Sequence, residues 1–187
     1  MADQCLWPQS SKLMQSYHDE EWCRPNRDDQ YIFELLTLEG AQAGLSWSIV
    51  LAKRKAYQEA FRNFNIEYCA NLTDADLEFI KENYKVIKHL SKLQSVRSNA
   101  EAVLKIKKEE KSFSDFLWRY VEFTPIVNNW ESEEQIPTQS PLSVQISKDL
   151  KKRGFKYVGP VTTYSFMQAI GIVDDHINTC TCHTLNR

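Results

Sequence analysis

The chain of 187 residues lacks several features that would place it in a specialised class of protein. Its first ten residues, MADQCLWPQS, contain no basic and apolar leader of the kind that directs secretion. No stretch approaches the roughly 18–20 apolar residues that a membrane-spanning helix needs. Five cysteines without regular spacing do not indicate a disulfide framework. We therefore expect one domain over residues 1–187, located in the cytoplasm with reduced thiols.

An excess of basic charge is also missing. The 23 Lys and Arg residues are balanced by 25 Asp and Glu residues, which gives a formal net charge of −2. Proteins that depend on non-specific phosphate contacts are usually basic, so the total argues mildly against nucleic acid. The basic residues nevertheless cluster, at Lys148, Lys151, Lys152, Arg153 and Lys156. A local positive patch is therefore compatible with a slightly acidic chain.

Helical periodicity is what the sequence has in abundance. Apolar residues recur every three or four positions, as at Leu90, Leu93, Ala100, Val103 and Leu104. Helix starts are predicted at Asp28 or Asp29, Ser46, Thr73 (with Asp76 in a capping box), Ser112, Ser140-Pro141 and Pro160. No run alternates with the period of two that is typical of strands. We therefore predict an all-α fold with little sheet and a long loop at residues 124–139.

Residues 141–171 predict two helices joined by a short turn. The first helix ends at Gly154, which can take the left-handed conformation of many helix ends. Gly159 would allow another backbone to approach closely, and Pro160 opens the second helix. The free N–H groups and the dipole at this helix start suit an anion such as a DNA phosphate, and Lys156 adds positive charge. The pattern is typical of a helix-hairpin-helix that grips the DNA backbone; two simply packed helices are the alternative.

Cysteine and histidine residues lie near both ends of the chain. Cys5 and His18 are near the start, and His176 and Cys180 are near the end, four residues apart, a spacing that shares one face on a helix or turn. Two Cys and two His form a tetrahedral set that suits structural Zn²⁺, and such a site would tie the termini together. The spacing also leaves other ligands open: Cys23, Cys182 and His183. Scattered buried cysteines and surface histidines without a metal are a further alternative.

The segment LEGAQAGLSW, residues 38–47, combines one carboxylate with an aromatic residue. We expect Gly40 and Gly44 to interrupt a helix, with Glu39 at its end and Trp47 opening the next helix. Upstream, the segment YHDEEW supplies Tyr17 and Trp22. Such a group could hold a flat, cationic, hydrogen-bonding ligand. The alternative is a solvated Glu39 with tryptophans in the core.

Several segments together resemble the 3-methyladenine DNA glycosylase I family. They are Cys5 with Trp7, YHDEEW (17–22), LEGAQAGLSW (38–47), the hairpin KKRGFKYVGPVTTYSFMQAIG (151–171), and VDDH with Cys180. These segments cover essentially the whole chain in family order and spacing. The resemblance implies a helix-hairpin-helix glycosylase fold. It also implies a monomer that removes 3-methyladenine from alkylated double-stranded DNA and releases the free base without strand cleavage.

The resemblance also implies roles for particular residues. The base pocket would contain Tyr17, Trp22, Glu39 and Trp47, with Glu39 recognising the base. DNA contacts would come from Gly44 and Leu45, which fill the gap left by the extruded base, and from the hairpin residues Gly154, Lys156 and Gly159. One structural zinc would be held by Cys5, His18, His176 and Cys180, between segments 1–20 and 174–187.

Two positions depart from the family pattern. Asp174 stands where the family typically has Asn, and Met14 stands where relatives often carry an aromatic residue. We expect Asp174 and Asp175 to support the zinc site or to cap a turn; an auxiliary role for Asp174 is the alternative. The alternative function is that of a non-catalytic helix-hairpin-helix DNA-binding protein stabilised by zinc.

Overall fold

A computed structural model describes residues 4–187, so the first three residues of the predicted segment 1–20 and of the predicted domain lie outside the described range. The helices are α1 Lys12–Glu20, α2 Asp29–Ala41, α3 Trp47–Ala52, α4 Arg54–Ala60, α5 Ile66–Ala70, α6 Asp74–Asn83, α7 Leu90–Glu109, α8 Phe113–Trp118, α9 Pro141–Lys152 and α10 Pro160–Ala169. Two short parallel strands, β1 Ile126–Val127 and β2 Val173–Asp174, pair with each other. Single 3₁₀ turns occur at Trp7–Ser10, Arg119–Val121 and Glu133–Gln135. The prediction of a mostly helical chain with little sheet is confirmed.

Side-chain caps explain where most of these helices begin. Asp28 accepts a hydrogen bond from the Tyr31 N–H at the start of α2, and Ser112 does the same for α8. Thr73 and Asp76 form the predicted capping box of α6. Each cap satisfies a backbone N–H that the helix itself leaves without a partner. Ser46 precedes α3 at the predicted N-cap position, but its hydroxyl bonds that of Ser48 and caps no helix N–H.

Helix α2 runs through the centre of the molecule. Every residue from Ile32 to Ala41 is buried, so this helix has no solvated face along that stretch. It packs against α10, α7, α8 and α3, while α9 packs on α10. A helix that is apolar nearly all round is expected to be buried in this way. The consequence for function is that a side chain near the end of α2 lies in a water-poor environment.

Gly40 does not interrupt α2, contrary to the prediction, because the helix continues to Ala41. Its hydrogen side chain instead allows close packing: a Cβ at this position would lie 3.1 Å from the Cβ of Tyr157. Gly171, in the chain after α10, has φ +74°. The backbone of Arg24 and Pro25 lies 2.2–2.4 Å from where a Cβ on Gly171 would be. Only glycine fits at Gly171, so the chain after α10 is pressed against the segment that follows α1.

The two ends of the described chain meet around the long loop at residues 124–139. The β1–β2 pair joins this loop to the segment after α10, and a further bridge joins Trp130 to Ile177. Glu133 in the same loop accepts hydrogen bonds from the backbone N–H groups of Leu6 and Trp7. Within residues 4–187, no helix is both long and apolar enough to cross a membrane.

Candidate active site and metal centre

A cavity of about 340 Å³ opens beside the end of α2. Its walls come from the N-terminal turn, α1, the α2–α3 region, the loop at 124–139 and α10. The lining residues are Trp7, Tyr17, Trp22, Glu39, Gln42, Trp47, Glu133, Ile136, Ser165 and Gln168. The structure therefore brings all four residues predicted for the base pocket into one cavity. We call it the aromatic pocket.

Glu39 lies in the last turn of α2 and is the buried acid of the aromatic pocket. It is 5% exposed, and no side chain or backbone group of the described residues donates a hydrogen bond to its carboxylate. Burial raises the pKa of Glu39 from its usual 4.5 to about 8. A carboxyl group in this state lacks hydrogen-bond donors from the protein, so a donor-bearing or cationic ligand would be attracted to it.

Two aromatic side chains beside Glu39 also lack partners for their polar atoms. The Tyr17 hydroxyl and the Trp47 Nε1–H are buried without a hydrogen-bond partner among the described residues. Their ring centroids lie 5.2 Å apart. Burial raises the pKa of Tyr17, with a smaller contribution from the nearby Glu39, so the phenol stays protonated. The pocket thus offers apolar ring faces together with unused hydrogen-bonding groups, as small-molecule sites do.

Six lining residues were not predicted as parts of the pocket: Trp7, Gln42, Glu133, Ile136, Ser165 and Gln168. Trp7 belongs to one of the segments that resemble the glycosylase family, but its position in the sequence did not indicate a role in the pocket. It packs edge-on against Trp22 with centroids 5.1 Å apart. Ser165 and Gln168 lie on α10, and the helical pattern did not show which face of α10 turns toward α2.

The turn between α2 and α3 forms one rim of the aromatic pocket, since Gln42 and Trp47 both line it. Gly44 has φ +77°, and a Cβ there would meet nothing within 4 Å. Leu45 beside it is 38% exposed. An exposed apolar side chain therefore stands on a tight turn at the rim of the aromatic pocket.

The hairpin forms as predicted, with α9 ending at Lys152, Gly154 at φ +91°, and Pro160 opening α10. Lys156 is exposed in the turn. A Cβ on Gly159 would meet no described atom within 4 Å, so the close approach expected there is not made within this chain. The surface at Gly159 is open in front of the first N–H groups of α10, which suits an external anion.

Cysteine and histidine side chains from both ends of the chain converge in a buried cluster. The His18 Nε2 lies 3.7 Å from the Cys180 Sγ. The buried Cys5 thiol lies beside Cys180, and the interaction between them lowers the pKa of Cys180 while it raises that of Cys5. His18, His176, Cys180 and Cys182 have ligand atoms within 4.8 Å of one another. This compact set contains three of the four predicted ligands, with Cys182 in place of Cys5.

The histidines of the cluster are oriented by carboxylates. Asp19 lies 2.7 Å from the His18 Nδ1, and Asp174 lies 2.7 Å from the His176 Nδ1. The other ring nitrogen of each histidine faces the cluster, and the His176 Nε2 is buried without a partner among the described residues. Metal-binding histidines commonly carry such a carboxylate on the remote nitrogen. The donor set and its orphaned nitrogen therefore fit a tetrahedral zinc ion.

Two of the other possible ligands are engaged elsewhere. The His183 Nε2 hydrogen-bonds to the Asn128 carbonyl at 2.9 Å, and its Nδ1 accepts from the Leu185 N–H at 3.2 Å. The Cys23 sulfur accepts from the Asp175 N–H at 3.3 Å. Cys23 also belongs to a second tight group with Asp174 and His176. Cys182 is thus the alternative ligand that the geometry keeps.

Asp175 is a fully buried carboxylate that differs from the ligand-supporting Asp174. It accepts four side-chain hydrogen bonds, from Asn128, Trp130, Tyr164 and Gln168, at 2.6–2.8 Å. These donors belong to the long loop and to α10. Asp175 therefore joins the C-terminal segment to one wall of the aromatic pocket, through Gln168.

The fold and the pocket define a helical protein with a cavity suited to a flat ligand and a turn surface suited to phosphates, as in a base-excising nucleic-acid enzyme. Residues 7–183 match the methyladenine glycosylase family, and the chain belongs to this family of glycosylases. It is 44% identical to DNA-3-methyladenine glycosylase of Haemophilus influenzae, over 98% of this chain and 100% of that protein. It is 40% identical to DNA-3-methyladenine glycosylase 1 of Escherichia coli, over 99% of each chain. A structure on the recognition of 3-methyladenine by 3-methyladenine DNA glycosylase I from Staphylococcus aureus superposes with a TM-score of 0.93, at 37% identity and 96% coverage of both chains.

Proposed function

We propose that the protein is a base-excision repair glycosylase of the helix-hairpin-helix type. It hydrolyses the bond between 3-methyladenine and deoxyribose in alkylated double-stranded DNA, and releases the free base. The observation that carries this proposal is the buried, unpartnered Glu39 in an aromatic pocket, in a chain that matches methyladenine glycosylases along nearly its whole length. The function named for its relatives is the one that this pocket suits.

Recognition depends on the charge of the damaged base. In DNA, 3-methyladenine is a cation, and its face is attracted to electron-rich rings such as those of Tyr17, Trp22 and Trp47. Glu39 accepts hydrogen bonds from the base edge, and these are charge-assisted on both sides. Normal adenine is neutral and gains less from both interactions. Extrusion of a base costs a few kcal/mol, and less for a damaged base.

The chemical step needs little assistance at the leaving group. Methylation at N3 lets the base depart as a neutral molecule, so no strong acid has to protonate it. Among the described residues that line the pocket there is no lysine, which supports base removal by water without a Schiff base and without strand cleavage. The enzyme then contributes mainly by selecting and holding the extruded cationic base, and Glu39 is the acidic group that contacts this base.

Duplex DNA is held at two turns. The hairpin turn with Gly154, Lys156 and Gly159 binds the phosphate backbone through N–H groups and one exposed cation. Gly44 and Leu45, at the rim of the pocket, fill the space that the extruded base leaves in the stack. Backbone donors carry no net charge, which explains how an acidic chain can bind DNA.

We also propose one structural zinc ion, held by Cys5, His18, His176 and Cys180, with Cys182 as the competing ligand. When bound, the ion supplies cross-linking of the two chain ends and no step of the reaction. The proposal is supported by the carboxylates on both histidines and the unpartnered His176 Nε2. Metal analysis should give one zinc per chain, and Cys5→Ala and His176→Ala should lose it. Full zinc in Cys5→Ala with loss in Cys182→Ala would assign the fourth site to Cys182.

We further propose a monomer that acts in the bacterial cytosol. The aromatic pocket is formed entirely by residues of one chain, so it needs no partner subunit. The curated relatives described above are bacterial, and bacterial DNA lies in the cytosol.

The test is a base-release assay on methylated duplex DNA with chromatographic identification of the products. We expect release of 3-methyladenine, little 7-methylguanine, and abasic sites in an uncut strand. Folded, zinc-loaded protein that binds DNA but releases no base would contradict the proposal and favour the non-catalytic alternative. Strand breaks that appear before any alkaline treatment would contradict the mechanism without cleavage.

A further inference from the structure

The two turns proposed to hold DNA are both attached to one helix, α7. The turn at 42–46 follows α2, and the hairpin turn at 155–159 lies between α9 and α10. These turns are far apart in the sequence. Side chains from the N-terminal half of α7 nevertheless reach both of them.

Lys92 joins α7 to the first turn. Its Nζ donates hydrogen bonds to the carbonyls of Ala41, at 2.9 Å, and Ala43, at 2.6 Å. Ala41 is the last residue of α2, where carbonyls lack helical partners and a cation is favoured by the helix dipole. Partial burial lowers the pKa of Lys92, as expected for an ammonium group drawn toward the protein. Lys92 therefore ties the start of the turn that carries Leu45 to α7. Glu39 lies inside the buried stretch of α2 and is held there by packing.

Asn99 and Ser91 join α7 to the hairpin turn. The Asn99 side chain accepts from the Lys156 N–H at 2.8 Å and donates to the Lys156 carbonyl at 3.1 Å. The Ser91 and Tyr157 hydroxyls lie 2.9 Å apart. Tyr157 has φ +56°, a left-handed conformation that a non-glycine residue adopts only when its surroundings hold it.

The hairpin turn also contacts the end of α2 directly, because Tyr157 packs on Gly40. The end of α2, the hairpin turn and α7 thus form a closed triangle of contacts. Within such a triangle, neither turn can move without breaking a hydrogen bond to α7 or the contact at Gly40. The separation between Leu45 and the phosphate-binding N–H groups is therefore set inside the protein, before any DNA is present.

We propose that α7 is the element that sets the spacing of the two DNA-binding turns, with Lys92 as a positioning residue that contacts no phosphate. This inference rests on the proposed function. When the hairpin turn holds the phosphate backbone, the gap left by the extruded base lies at a fixed distance from that turn. Leu45 has to lie at the same distance from the hairpin turn in order to fill the gap. A rigid element that fixes both turns removes the need to order them during binding.

The test compares Lys92→Met with the wild-type protein in single-turnover excision. Methionine keeps the length of the side chain and removes its donors. We expect excision from duplex DNA to slow by roughly 10-fold, because a displacement of about 1 Å can cost up to about 100-fold. The affinity for free 3-methyladenine, followed by tryptophan fluorescence, should stay within about twofold, since the pocket residues are unchanged. Lys108→Met removes the same charge from an exposed position on α7 and should excise like the wild type.

Salt dependence separates positioning from direct contact. Loss of a phosphate contact would reduce the slope of log affinity against log salt by about 1, whereas a positioning residue leaves it unchanged. Lys92→Arg, which restores donors, should recover part of the rate. A reduced slope, a wild-type excision rate in Lys92→Met, or an equal loss of free-base affinity would each overturn the inference. If the wild-type protein releases no base at all, the proposed function itself fails, and that result is distinct from these.

Discussion

Two buried carboxylates of this protein are treated in opposite ways by their surroundings. Asp175 accepts four side-chain hydrogen bonds from the long loop and α10. Glu39 receives none from the described residues, although it is also buried, at 5% exposed against 0% for Asp175. The chain thus gives one buried acid a full set of hydrogen-bond donors and leaves the other without any from the described residues.

The difference indicates what each acid is for. A buried polar group with all its hydrogen bonds contributes to the architecture, whereas one without partners destabilises the folded protein. A buried polar group without partners is tolerated at a binding site, because the ligand supplies the missing hydrogen bonds. Comparing the two acids therefore separates stability from function, and variants at each should move different measurements.

The largest effect on stability is expected from Asp175→Asn. The amide would place its NH₂ group against two donors that now point at a carboxylate oxygen. We expect the free energy of unfolding to fall by about 3 kcal/mol, since hydrogen bonds to charged groups contribute roughly 1.5–3 kcal/mol each. Chemical denaturation measures this. Asp74→Asn, at an exposed ion pair with Arg97, is the matched control and should cost about 1 kcal/mol or less. An equal fall in the free energy of unfolding in both variants would show that the hydrogen bonds to Asp175 stabilise the protein no more than an exposed ion pair does.

The next effect concerns activity and the other acid. In Glu39→Gln the base loses its charge-assisted acceptor, so we expect single-turnover excision to fall by about 100-fold, as for other preorganised electrostatic groups. Stability should stay the same or rise, because the replaced group has no partners to lose. Denaturation of the same sample provides the comparison with Asp175→Asn. Undiminished excision would remove Glu39 from the reaction.

The raised pKa of Glu39 makes the protein sensitive to pH. With a pKa of about 8, roughly one tenth of the molecules carry an ionised Glu39 at pH 7 and nine tenths at pH 9. The alkylated base in DNA stays cationic over this range, so excision should rise about 10-fold between these pH values. Because the folded pKa lies above the usual 4.5, the folded state holds an extra proton between about pH 4.5 and 8. Stability should therefore decrease as the pH rises through this window. In Glu39→Gln, both the excision rate and the free energy of unfolding should depend less on pH over this range.

The smallest effects are expected from two tyrosines, one beside each of the two buried acids. The Tyr17 hydroxyl has no partner among the described residues, whereas the Tyr164 hydroxyl donates to Asp175 at 2.6 Å. Tyr17→Phe should leave the free energy of unfolding unchanged and weaken binding of free 3-methyladenine by a few fold. Tyr164→Phe should lower the free energy of unfolding by about 1–2 kcal/mol and leave base binding nearly unchanged. A reversed pattern, in denaturation and fluorescence titration, would contradict the assignment of the two acids.

Local features of this fold were predictable where one residue type fixes the geometry. Pro160 can open a helix, and Thr73 with Asp76 can cap one, whatever lies elsewhere in the chain. Gly154 behaves as predicted for the same reason. The residues of the aromatic pocket were predictable only through the family resemblance, because Tyr17, Glu39 and Trp47 show no spacing that distinguishes a pocket from a core.

Features that depend on distant partners were not predictable. Lys92 looks like a solvated lysine on a helix, and its acceptors lie about fifty residues earlier in the chain. Gly40 resembled a helix interruption because its packing partner, Tyr157, is distant in sequence. Asp175 was expected to support zinc or a turn, and its four donors were unknown until α10 and the long loop were placed. Such contacts follow from the fold, not from local propensity.

The walls of the aromatic pocket come from the first and the last parts of the described chain, since Trp7 and Tyr17 face Ser165 and Gln168. During synthesis the N-terminal wall emerges first and must wait for the opposite wall, and contacts between such distant segments form slowly. A chain still on the ribosome therefore has no pocket in which a base can be held. The pocket is therefore complete only in a chain that extends to Gln168 and has folded its last helix against the N-terminal wall.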